Sequence, residues 1–136
     1  MVLVLAVTAF LVNLRPAAEE AGITGAFDTY VEVTDDLAVN LVVDPNRAGR
    51  NEIHLYVFDE TGRPLGSDAI EGLTLELALP ERDLGPLVRT PYVAGPGHWQ
   101  VDGNDLALPG AWELVVVLEV DRFTVERATI PLVVNP

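Results

Sequence analysis

From Phe27 onward, apolar residues recur at every second position in several short segments. The inward-facing residues predicted in the four clearest segments are Leu37, Val39, Leu41 and Val43; Ile53, Leu55 and Val57; Leu73, Leu75, Leu77 and Leu79; and Trp112, Leu114, Val116, Leu118 and Val120. A two-residue period places alternate side chains on opposite faces of a strand, one buried and one exposed to solvent. The pattern therefore predicts half-buried β-strands and no helix in this part of the chain.

Turn signals separate these segments at short intervals, at Asp35-Asp36, residues 44–50, residues 60–64, residues 95–98 and Pro109-Gly110. Residues 87–93 are predicted to form one shorter strand, with proline on both sides. About seven strands arranged in this way predict an all-β fold, an immunoglobulin-like antiparallel β-sandwich over residues 23–136. A small β-barrel is the alternative. Because the chain has no cysteine, Trp112 or Trp99 would fill the centre by packing alone.

The N-terminal run MVLVLAVTAFLV, residues 1–12, carries no charge and does not alternate. A membrane-spanning helix needs about 20 apolar residues, and a secretory signal begins with positive charge, so neither description fits the run as it stands. Three interpretations remain: the end of a transmembrane helix, a degenerate signal or anchor, and a buried first strand. We favour residues 1–14 as the end of a transmembrane helix or a membrane anchor, followed by a linker over residues 15–22 and then by the sandwich.

The charge of the chain restricts its partners. It has 21 Asp and Glu against 8 basic residues, all arginine, for a formal net charge of -13. Such a surface repels phosphate, so we expect no nucleic-acid partner and instead expect cations or a basic protein surface.

The sequence has few of the residues that hydrolytic enzymes use for catalysis. The only serine, Ser67, lies in Leu-Gly-Ser-Asp, which lacks the second glycine of a nucleophile elbow. No glycine-rich phosphate loop opens a helix, and nothing selects one pair of carboxylates for acid–base work. We therefore expect no enzyme and no catalytic residues.

The two histidines are the candidate metal ligands, since imidazole suits copper and zinc. His54 lies on the outward face of a predicted strand and His98 in a predicted turn, with Glu52, Asp59 or Asp102 as possible oxygen ligands. The alternative is structural: His54 bonded within a packed face, and His98 packed beside Trp99. Trp99 itself is either a core residue or an exposed aromatic side chain in a loop, whereas Trp112 is expected in the core.

Four segments together carry a family resemblance. They are residues 45–59, containing Asn51-x-x-His54, residues 61–64, Gly95-Pro-Gly-His98-Trp99, and Leu108-Pro-Gly-Ala-Trp112-Glu-Leu114. In this combination the chain resembles the extracytoplasmic C-terminal domain of CopD/YcnJ-type copper transport (copper resistance) proteins, related to YtkA-like domains. Asn46-Arg47 stands where that family has Gly-Arg.

The resemblance implies a copper-handling domain on the extracytoplasmic side of a cell membrane, with copper and the membrane helices of the same or a partner protein as its partners. It assigns Asn51, His54 and His98 as matching positions. Asn51 also has a reading without metal, because an Asn after a Gly-containing loop holds that loop by local hydrogen bonds. Two functions remain: a copper-binding domain that uses His54 and His98, or an immunoglobulin-like adaptor that docks a protein partner without metal.

Overall fold

The structure, a computed structural model, describes residues 26–136. In this part of the chain nine strands alternate with short turns, and one short 3-10 helix spans Pro80–Arg82. The strands are β1 (Phe27–Thr34), β2 (Leu37–Asp44), β3 (Asn51–Phe58), β4 (Gly72–Leu79), β5 (Leu84–Arg89), β6 (Tyr92–Gly95), β7 (His98–Gly103), β8 (Gly110–Asp121) and β9 (Thr124–Val134).

The strands form two antiparallel sheets with the orders β1-β2-β3-β7-β6 and β5-β4-β8-β9. Apart from β1, the first sheet has the A-B-E-D order of an immunoglobulin-like sandwich when β2 is taken as strand A. On the same assignment, the second sheet has the order C′-C-F-G, with β4 as strand C. The predicted immunoglobulin-like sandwich is therefore confirmed, with β1 as an additional edge strand.

The core lies between the sheets, and the alternating residues fill it as predicted. Leu41, Leu55, Leu75 and Leu114 are fully buried, and Trp112 is 2% exposed with its indole Nε1–H donating to the Leu108 carbonyl at 2.9 Å. Burying a side chain of this size stabilises a fold by about 1.5–3 kcal/mol. Trp112 is thus the expected core residue, and its one polar atom is satisfied.

Trp99 also belongs to the core. Its side chain lies on β7 and is 4% exposed. This burial excludes the alternative of an exposed aromatic side chain in a loop. The predicted single strand over residues 87–93 was wrong. The chain leaves the second sheet after Arg89 and enters the first at Tyr92, and Pro91 is buried at the crossing.

The expected membrane segment, residues 1–14, and the linker, residues 15–22, lie outside the described residues. Within residues 26–136, no helix has the length and apolar character needed to cross a bilayer.

Candidate metal centre

The two histidines meet on the outer face of the five-stranded sheet. The strands β3 and β7 pair antiparallel, with Tyr56 opposite His98 and His54 opposite Gln100. His54 and His98 therefore occupy neighbouring positions on one face, although one is in the middle of a strand and the other begins one. Their ring nitrogens, His54 Nδ1 and His98 Nε2, are 2.9 Å apart, at hydrogen-bond distance.

Glu52 extends this contact at the other side of His54. Its Oε1 lies 3.2 Å from His54 Nε2, and the carboxylate is more than half exposed while the imidazole is mostly covered. An ionised carboxylate only accepts hydrogen bonds, so the proton of a neutral His54 resides on Nε2. His54 Nδ1 is then the acceptor, and His98 Nε2–H donates to it. The three side chains form one hydrogen-bonded row, Glu52–His54–His98.

The environment of His98 favours its neutral form. The ring stacks on Tyr56 with centroids 4.4 Å apart and planes 17° apart. Partial burial, and second the charge of His54, lower the pKa of His98 below its ordinary value of 6.5. A lowered pKa favours the deprotonated imidazole, which is the form that a metal requires of a histidine ligand.

A hydrogen-bonded loop holds the start of β3, and with it Glu52 and His54. Asn51 is 3% exposed, and its Oδ1 accepts from the Asn46 N–H at 2.7 Å. Its Nδ2 donates to the Arg47 carbonyl at 2.9 Å and to the Gly49 carbonyl at 3.2 Å. Asn51 thus clamps the loop, as the non-metal interpretation predicted, and its amide is fully engaged by backbone.

A tight turn at Gly97 places His98. The residue has φ of +65°, in the left-handed region, and a Cβ there would lie 2.9 Å from the Leu65 carbonyl oxygen. The Gly97 carbonyl accepts from the Val57 N–H at 2.9 Å, which joins this turn to β3 beside the histidine pair. Glycine is therefore required immediately before His98 by both conformation and space.

The carboxylates of the two other proposed oxygen ligands, Asp102 and Asp59, accept hydrogen bonds from residues outside the histidine pair. Asp102 lies opposite Glu52 across β3 and β7, but its carboxylate accepts from Gln100 Nε2 at 2.6 Å and from the Tyr92 hydroxyl at 2.9 Å. These two hydrogen bonds lower the pKa of Asp102, and the bond from Gln100 has the larger effect. Asp102 therefore lies at the margin of the pair as a carboxylate with two donors of its own.

Asp59 lies beyond the other end of β3, about 16 Å of extended chain from His54. Its Oδ1 accepts from the Thr61 hydroxyl at 2.6 Å, from the Thr61 N–H at 2.9 Å and from the Arg63 N–H at 3.1 Å. Asp59 thus stabilises the turn after β3 and does not lie beside the histidines.

The distance between the two ring nitrogens can be compared with the ligand spacing in a metal site. Imidazole nitrogens bind zinc at about 2.0–2.1 Å, so two nitrogens at a right angle on one cation are about 2.9 Å apart. The observed separation is 2.9 Å, the spacing of adjacent ligands in a square-planar copper site. No cluster of three or more His, Cys, Asp or Glu within residues 26–136 has the arrangement of a metal site. Among residues 26–136 the two ring nitrogens are therefore the donors that a cation at this place would have, with its other positions left to solvent.

Three neighbours of the pair were not singled out from the sequence as site residues: Tyr56, Tyr92 and Gln100. Tyr56 carried a usable signal, because it follows His54 by two positions and so shares its face. Tyr92 and Gln100 depend on which strands become neighbours.

The chain matches no family model, no curated protein and no solved structure.

Proposed function

We propose that this chain is a copper-handling domain that binds the ion between His54 Nδ1 and His98 Nε2. Copper is its cargo, held at the outer face of the sandwich and passed on to another site. On this proposal the sandwich lies on the extracytoplasmic side of a cell membrane, with residues 1–14 as its anchor or as the end of a preceding helix.

The observation that carries the proposal is the row Glu52–His54–His98. Histidines that bind a metal almost always donate their other ring N–H to a carboxylate or carbonyl, which fixes the tautomer and raises the basicity of the ligating nitrogen. Glu52 does this for His54, at 3.2 Å from Nε2. A copper ion bound by both nitrogens at about 2.0 Å would displace the proton of their hydrogen bond and lie to one side of the line between the two nitrogens, which the sheet holds 2.9 Å apart.

The open coordination suits transfer rather than storage. Among residues 26–136 only the two ring nitrogens lie together as donors, and Glu52 beside them is more than half exposed, so an incoming ligand reaches the ion from solvent. A cation held by two nitrogens and water exchanges more readily than one enclosed by four side chains. The surrounding carboxylates and the net charge of -13 attract a cation to this face.

The family resemblance supports the assignment of copper in particular. Asn51, His54 and His98 are the positions that match the CopD/YcnJ-type segments. Of these, Asn51 clamps the loop next to the site, and the two histidines form the pair.

The proposal is tested by titrating the full chain with Cu(II), and with Cu(I) under reducing conditions, by calorimetry. We expect one equivalent of copper to bind and binding to be lost in the double variant His54→Ala, His98→Ala. Asp59→Asn is the matched control, since it removes a carboxylate that does not contact the pair and should leave copper binding intact.

Copper binding that is equally strong in the double histidine variant would overturn the proposal, as would the absence of any stoichiometric site in the parent chain. Circular dichroism of each variant shows whether the sandwich still folds. Either of these outcomes would favour the adaptor function, in which the same face binds a protein without metal.

A further inference from the structure

The outer face of the five-stranded sheet carries an aromatic strip, defined here as Tyr30, Phe58, Tyr56, His98 and His54. Ring contacts join Tyr30 to Phe58, with centroids 6.1 Å apart, and join Tyr56 to His98 and His98 to His54, with centroids 4.4 Å and 5.1 Å apart. Tyr56 and Phe58 are two positions apart on β3 and so are neighbours on the same face. The strip runs across the middle of the sheet.

The Tyr30 and Phe58 rings lean toward each other over β2. Their strands, β1 and β3, lie on either side of β2 and are therefore about 10 Å apart. The rings close much of that gap above Ala38, which points outward yet is only 5% exposed. Tyr30 itself remains 56% exposed. This end of the strip therefore offers aromatic surface to solvent.

Carboxylates surround the strip. The outward positions of β1, β2, β3 and β7 include five exposed acidic residues, namely Asp28, Glu32, Asp44, Glu52 and Asp102. None of the outward positions on these described strands carries a basic residue, and the whole chain contains no lysine. The strands of this face thus carry aromatic rings and carboxylates and no arginine, while Arg50, directly before β3, lies close enough to help lower the pKa of Asp102.

We propose that this face binds an arginine-rich, extended segment of a partner protein. A guanidinium group stacks on aromatic rings and at the same time donates paired hydrogen bonds to a carboxylate. Rings flanked by exposed carboxylates supply both contacts within the reach of one side chain. A flat sheet face also accepts an extended chain along its length, and long-range attraction between opposite charges speeds the encounter.

This inference does not depend on copper. Tyr30 and Phe58, the residues whose replacement tests it, do not contact the ring nitrogens of the histidine pair. The partner proposed for them is a peptide rather than a metal ion. The two proposals can therefore fail separately.

The test uses fluorescence polarisation of a labelled ten-residue peptide of alternating glycine and arginine, with EDTA present to exclude metal. Peptides with lysine or glutamate in place of arginine are measured beside it. We expect the arginine peptide to bind more tightly than the lysine peptide and the glutamate peptide not to bind. The double variant Tyr30→Ser, Phe58→Ser should weaken arginine-peptide binding by about tenfold or more.

A pair of charge variants separates a specific face from general attraction. Asp28→Asn with Glu32→Gln removes two carboxylates beside the strip, and Glu113→Gln with Glu119→Gln removes two from β8 in the other sheet. Both change the net charge equally. We expect about tenfold weaker binding in the first pair and less than a twofold change in the second. Equal losses in the two pairs, no loss in the Tyr30 and Phe58 variant, or no binding of the arginine peptide would each overturn the inference.

Discussion

His54 Nδ1 and His98 Nε2 lie 2.9 Å apart although 44 positions of sequence separate the two residues. The contact is made by the register of two paired strands, in which Tyr56 lies opposite His98 and His54 lies opposite Gln100. A register error of one residue would turn one ring into the core and separate the nitrogens. The geometry of the pair therefore depends on the whole sheet rather than on a local motif.

Replacing Glu52 by alanine should weaken copper binding without abolishing it. Glu52 accepts from His54 Nε2 and contributes no atom to the space between the rings. Loss of such an orienting partner typically costs about 10–100-fold in metal affinity. Calorimetric titration would measure the effect, and Asp28→Ala, which removes a carboxylate of the same face two strands away, should change affinity far less. Equal losses in the two variants would mean that Glu52 acts only through its charge.

The Gly97→Ala variant should be less stable and should bind copper more weakly. A non-glycine residue in the left-handed region costs about 1–2 kcal/mol, and here the new Cβ would also meet the Leu65 carbonyl at 2.9 Å. The turn must shift, and His98 shifts with it. Urea unfolding followed by Trp fluorescence measures the first effect. Gly62→Ala is the control, because φ there is +83° but nothing lies within 4 Å of the added Cβ. An equal loss in both variants would show that the Leu65 contact is unimportant.

The Asn51→Ala variant should lower the free energy of unfolding by at least about 2 kcal/mol, because each buried polar group left without a partner costs about 1–3 kcal/mol. The substitution removes the hydrogen-bond partner of three main-chain groups at once: the Asn46 N–H and the Arg47 and Gly49 carbonyls. Denaturant titration beside the exposed Asn104→Ala measures the difference. A loss no larger than that of Asn104→Ala would show that the clamp is dispensable.

The contribution of Asp59 to stability should disappear in acid. Hydrogen bonds from the Thr61 hydroxyl first, and from the Arg63 N–H second, hold the pKa of Asp59 below its ordinary 3.8. The unfolded chain then binds the proton more readily, so the stabilisation is complete above the ordinary pKa and is lost as pH falls through the lowered one. Urea midpoints measured from about pH 6 down to about pH 2 should show the wild type losing its advantage over Asp59→Asn. A constant difference across this range would contradict the assignment.

Much of the fold could be predicted from local pattern. The alternation of Leu37 to Val43, of Ile53 to Val57 and of Leu73 to Leu79 identified strands and their buried faces correctly, because burial on one face imposes a two-residue period. The role of Asn51 was also predictable, since its partners lie within five residues of it.

Other features were beyond reach because they depend on contacts between distant segments. Residues 87–93 have strand composition throughout, and only the division into two sheets shows that the chain crosses at Pro91. The glycines before Trp99 left open whether its side chain lies in the core or in a loop, and the structure buries the indole on β7, which begins immediately after Gly97. The choice of Glu52 over Asp59, by contrast, was within reach, because Glu52 precedes His54 by two positions on β3 and so shares its face.

Both ends of the described chain lie at the end of the sandwich where β2 ends and β3 begins. Phe27 begins β1 opposite Val43, and Asn135 follows β9 and bonds to Asn46 in the loop after β2. Asp28 lies on the same cross-strand row as His54, two strands away, a separation of about 10 Å. A fluorophore or affinity tag attached after Asn135 therefore lies near the loop that leads into Glu52 and His54. The exposed turn around Gly62, beyond the other end of β3, is farther from the histidines and lines a groove together with Tyr30, so a probe inserted there reports on what approaches the aromatic strip.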